Sequence, residues 1–88
     1  MKIEEQIRGL ITEPLKKKDF KLISVNYEYE DDTPLLKIVI DQEEIVDLDK
    51  CVEATKIIND ILDKENIIDH YYVLDVSALP KGGEKNGQ

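Results

Sequence analysis

The hydrophobic pattern of this chain changes period at Phe20, and that change restricts the fold more than any other feature. Before it, Ile3, Ile7, Leu10, Ile11 and Leu15 recur at three- and four-residue intervals with charges between them. This is the spacing of an amphipathic helix of about 16 residues. After it, Ile23, Val25, Tyr27 and Tyr29 alternate with Ser24, Asn26, Glu28 and Glu30, the two-residue period of a half-buried strand. The helix ends near Lys16-Lys17-Lys18, cations suited to the negative pole of its dipole. Pro14 lies inside it, removes the donor that would reach the Leu10 carbonyl, and predicts a kink.

Asp31-Asp32-Thr33-Pro34 reads as a turn, because Asp favours turn entry and Pro cannot donate to a ladder. A second strand runs from Leu35 to Asp41 with Leu36, Ile38 and Ile40 on one face. So short a link predicts an antiparallel hairpin. Asp47 is the expected N-cap of a second helix reaching about Lys64. Leu48, Cys51, Val52, Thr55, Ile58 and Leu62 are its expected buried stripe. A third strand, Tyr71 to Ser77, turns Tyr72, Leu74 and Val76 inward. The intervening helix permits a parallel crossover without forcing one. The expected fold is α+β: an α-β-β-α-β two-layer sandwich, two helices packed on one face of a three-stranded mixed sheet. Residues 1–78 form its one domain, and 79–88, rich in Gly and Lys, a flexible tail.

Eighty-eight residues with 41% hydrophobic and 36% charged side chains suit one small globular core. Such a domain buries roughly 60–65% of the surface its unfolded chain exposes. The net charge of −8 is unevenly spread: +2 over residues 1–27, −11 over 28–75 and +1 beyond. The acidic middle repels nucleic-acid phosphate and favours a basic protein partner. The single cysteine, Cys51, cannot close an internal disulfide, and no charged-then-apolar leader precedes the first helix. No apolar run approaches the ~20 residues of a membrane span. These features place the chain in a reducing, cytoplasmic setting.

Chemistry is sparse. The one histidine, His70, has Asp69 beside it, but neither it nor Cys51 has the companions of a metal or nucleophile site. Asp41-Gln42-Glu43-Glu44 lacks the alternation and glycine of a calcium loop. Gly82-Gly83 has no strand-to-helix context for a phosphate. The three lysines at 16–18 read as a solvated helix end, where carbonyls and not amides face an anion. No catalytic residue, cofactor or metal site is assigned. The one face with a binding character is the side of the sheet away from the helices. Alternation puts Leu35, Lys37, Val39 and Asp41 there from the second strand, and Tyr71, Val73, Asp75 and Ser77 from the third. Leu35, Val39, Tyr71 and Val73 form a mixed apolar patch of the kind that marks docking surfaces.

Several stretches resemble one family in order and spacing. Ile11-Thr12-Glu13-Pro14-Leu15 looks like the proline-bearing first helix of the ribosome maturation factor RimP family, and residues 20–27 resemble its first strand. Ile38-Val39-Ile40-Asp41 is similar to its strand ending in Ile-Asp. Leu48-Asp49-Lys50-Cys51 with Thr55, Ile58 and Leu62-Asp63 follows its second helix. Tyr72-Val73-Leu74-Asp75-Val76-Ser77 resembles the start of its Tyr-x-Leu-Glu-Val-Ser-Ser-Pro-Gly segment. The sequence departs from that segment at Ala78-Leu79-Pro80-Lys81-Gly82. The resemblance covers about residues 3–77. It corresponds to the family's N-terminal domain, with no counterpart of the SH3-like second domain.

The resemblance implies a non-catalytic assembly factor that binds the small ribosomal subunit during maturation, touching a basic ribosomal protein. The residues expected to make contact, read from the acidic surface and not carried over from the family, are the outer sheet face together with Asp31, Asp32, Glu43 and Glu44. Direct RNA contact comes second. The order α-β-β-α-β also looks like a type II KH domain, but the GxxG loop of KH domains is missing. A stand-alone interaction or dimerisation module, pairing through the uncovered sheet face, is the other alternative.

Overall fold

The computed structural model describes residues 2–43 and 47–79. Helix α1 (Lys2–Lys17) is followed by β1 (Lys21–Glu30), β2 (Thr33–Asp41), α2 (Leu48–Glu65) and β3 (Val73–Ala78). The sheet order is β1-β2-β3. Strand β2 pairs antiparallel with β1 and parallel with β3. The α+β sandwich expected from the sequence is therefore present, and the crossover through α2 is parallel.

The helix α1 continues past Pro14 and stops by a defined mechanism. Asp19 adopts φ 68°, and the amides of Asp19 and Phe20 donate to the carbonyls of Lys16 and Leu15 at 2.9 Å each. This pair of bonds is a Schellman motif. It aims Phe20 back at Leu15, and both side chains are buried in the core.

Asp31 and Asp32 both have positive φ, 51° and 68°, the signature of a type I′ two-residue hairpin loop. The turn is thus shorter than the four residues expected, and Thr33 and Pro34 belong to β2, opposite Glu30 and Tyr29. Proline is accommodated because Glu30↔Thr33 closes the loop as a hydrogen-bonded pair. The next pair, Tyr29↔Pro34, is then a non-bonded one, with its backbone groups facing away from each other. On that far side β3 pairs only from Leu35↔Val73 onward. A nitrogen without a hydrogen gives the ladder no donor to extend on. Tyr71, expected as the first residue of the third strand, accordingly lies outside β3.

A bulge between Leu22 and Ser24 corrects the reading of β1. Ile23 is the extra residue, so Leu22, opposite Ile40, shares the core face with Val25 and Tyr27, and Ile23 does not. A two-residue period read straight through a bulge is wrong on one side of it. Tyr29 keeps the inward parity but is exposed, because the first turn of α1 reaches only as far as Tyr27. There the Glu4 carboxylate accepts the Tyr27 amide at 2.8 Å.

Asp47 caps α2 as expected, its side chain accepting the Lys50 amide at 3.0 Å. The buried stripe is different: Ala54, Ile58 and Leu62 are buried, with Ile57 and Ile61 packed against the core. Leu48 and Val52, expected inside, are 78% and 52% exposed. Two stripes overlap at Ile58 and Leu62, and the richer isoleucine stripe faces the sheet. The core joins Ile7, Ile11 and Leu15 of α1 to Leu36, Ile38 and Ile40 of β2 and to the α2 stripe. Among the described residues, no element covers the opposite side of the sheet.

Candidate interaction surface

On the uncovered side, the β2–β3 register sets Leu35 beside Val73, Lys37 beside Asp75 and Val39 beside Ser77. The β1–β2 register adds Glu28, Asn26 and Ser24 next to Leu35, Lys37 and Val39. The strands therefore build three rows. An apolar row, Leu35–Val73, and a mixed row around Val39 flank a polar row centred on Lys37. Leu35, Val39 and Val73 are half-buried by their neighbours, while Lys37 and Asp75 are exposed. Lys37 Nζ lies 3.9 Å from Glu28 Oε1, with both side chains about half exposed. A pair that long and wet contributes at most about 1 kcal/mol. It leaves Lys37 able to swing toward a partner.

The other residues named from sequence do not join this face. Tyr71 is 76% exposed but precedes β3, its carbonyl 3.2 Å from His70 Nδ1. Asp31 and Asp32 form the hairpin tip, whereas Glu43 follows the far end of β2. The nine-residue strand separates them by about 30 Å at ~3.3 Å per residue. Glu44 lies outside the described residues. The acidic residues thus mark two ends of the sheet and not one patch.

At the Glu43 end an open cleft is lined by Lys16, Asp19, Lys21, Asp41, Glu43 and Lys50, with Phe20 and Gln42. Three cations and three carboxylates share it, and Gln42 donates across it to the Lys18 carbonyl at 3.3 Å. Sequence reading missed this cleft because its residues come from four elements; the signal available was the turn at Asp19-Phe20 that folds Lys21 back toward Lys16. Proton affinity is displaced at two tyrosines. Burial, then the neighbouring Tyr29, raises the pKa of Tyr27, and burial, then the charge of Asp63, raises that of Tyr72. Tyr27 and Tyr29 meet edge to face, their ring centres 5.8 Å apart. Among the described residues no three His, Cys, Asp or Glu side chains converge on a metal site, and no helix is long and apolar enough to cross a membrane.

Residues 10–79 match the family model of the RimP N-terminal domain. The chain belongs to the RimP family. The match starts within α1, takes in every strand and α2, and ends at Leu79, whose amide is still tied to the Ile40 carbonyl at 2.8 Å. The fold and the surfaces described above are therefore those of a RimP N-terminal domain, and the role this family implies is ribosome maturation.

Proposed function

We propose that this chain is a non-catalytic, cytoplasmic assembly factor that docks on the free small ribosomal subunit through the outer face of its sheet. The observation that carries this reading is the membership in RimP combined with a sheet face that no element among the described residues covers. Half-buried Leu35, Val39 and Val73 supply apolar area there. Lys37, Asp75, Glu28 and the hairpin tip Asp31-Asp32 supply a charged rim, the composition of a protein-docking surface. With −11 over residues 28–75, the preferred contact is a basic ribosomal protein, steered by a field that fades over roughly 8–10 Å of salt screening. The unit that folds and binds is residues 1–78.

Co-sedimentation with purified small subunits tests this. Saturable binding that weakens between low and moderate salt is expected. Val39→Arg, which places a bulky charge in the middle of the face without touching the core, should abolish it. A folded wild-type chain that stays in the supernatant at low salt would sink the reading.

A further inference from the structure

We infer that the groove between α1 and the start of β1 seats the phosphate backbone of single-stranded RNA. Arg8, Thr12, Lys16, Phe20, Lys21 and Leu22 line it, enclosing about 260 Å³. Three of the six are cations and none is a carboxylate, on a chain of net charge −8. Arg8, Thr12 and Lys16 sit four residues apart on α1, so they form a line that advances about 6 Å per step, comparable with the spacing of successive phosphates along a strand. Lys21 comes to the same groove from β1, brought there by the Schellman turn.

Among the described residues, neither Lys16 nor Lys21 is held in an ion pair. Arg8 offers one N–H to the Ile23 carbonyl at 3.4 Å and keeps the rest of its five donors for a ligand. Phe20 and Leu22 make an apolar floor suited to sugar. The carbonyls of a helix C-terminus would ordinarily discourage an anion, but here those of Leu15 and Lys16 already accept the amides of Lys18, Asp19 and Phe20. The adjoining cleft adds Asp19, Asp41 and Glu43, and these close the groove to a longer polyanion. Two or three phosphates fit, and the acidic remainder of the molecule turns away a duplex. RNA is chosen over an acidic peptide because of the ribosomal reading above, on which that choice rests.

The test is fluorescence anisotropy of a labelled uridine octanucleotide with the 88-residue chain in stepped salt. Binding is expected with a slope of log K against log salt near −2, about −0.7 for each of three phosphates. The double variant Lys16→Glu/Lys21→Glu, checked for folding by circular dichroism, should weaken it at least about tenfold, since each phosphate-binding cation lost lowers both affinity and salt slope. Absence of binding in low salt, or an unchanged affinity in the double variant, overturns the inference. So does displacement of the RNA by polyglutamate at equal charge, which would make the groove a reader of acidic peptide. No ribosome enters this assay, and the co-sedimentation test reads Val39 on the other side of the sheet, so failure of one is distinguishable from failure of the other.

Discussion

Asp19 holds a left-handed backbone at φ 68°, a conformation that costs an L-residue about 1–2 kcal/mol and costs glycine almost nothing. Replacing it with Gly should raise stability by about 0.5–1 kcal/mol, seen as a higher urea midpoint with an unchanged slope. At the other helix boundary, Asp47 satisfies the Lys50 amide, and Asp47→Ala should lower stability by about 1 kcal/mol in the same titration. Tyr27 and Tyr72 couple stability to alkaline pH. Both have folded pKa values raised above the ordinary 10.0, so the unfolded chain gives up those protons first. Their contribution is complete below pH 10 and is lost as pH climbs through the folded values. Stability should therefore fall above about pH 10, and Tyr72→Phe should flatten that fall, as thermal melts across pH 8–11 would register.

At the scale of elements, β1 is an edge strand, and α1 guards it. The Tyr27 amide faces away from β2, and the Glu4 carboxylate takes it at 2.8 Å. One helical turn on, Arg8 reaches the Ile23 carbonyl, so two side chains four residues apart blunt an edge that would otherwise template aggregation. Glu4→Ala should cost about 1–3 kcal/mol, as for a hydrogen bond to a charged group, and should speed hydrogen exchange at the Tyr27 amide. None of this was visible beforehand, because which amides face outward depends on pairing register, and register is a property of two strands. The elements themselves were legible: each helix and strand announced itself by period, and Asp47 by its chemistry. What period could not reveal was Ile23, since one inserted residue reverses parity on only one side of it. Nor could it choose between two stripes on α2 that share Ile58 and Leu62, a choice made by the three isoleucines that fill the space over the sheet. The outer-face residues Leu35, Lys37, Val39, Val73 and Asp75 followed directly from alternation in strands that contain no bulge. The basic groove did not, because Arg8 and Lys21 are 13 positions apart in sequence and meet only through the turn at Asp19.

Over the whole molecule, charge is divided by surface: Arg8, Lys16 and Lys21 gather in the groove between α1 and the start of β1, and Asp31, Asp32 and Glu43 mark the two ends of the sheet. A partner with basic protein beside exposed RNA strand would meet complementary charge on both counts, and salt should weaken the two contacts independently. The position of β3 has a consequence of a different kind. Each of its pairs with β2, from Leu35↔Val73 to Ile40↔Ala78, bridges 38 positions of chain, whereas the β1–β2 hairpin closes over two. Long loops are slow to close, so the hairpin and α1 form early and the crossover limits the rate. Pulse-labelled hydrogen exchange should find the amides of Asn26 and Lys37, bonded within the hairpin, protected before that of Asp75, which faces β2 from β3. During synthesis the consequence is sharper. The central strand emerges with one flank unpaired and stays so until β3 has left the exit tunnel. A domain from a family devoted to maturing ribosomes thus cannot finish its own sheet until the ribosome making it has extruded the whole of β3.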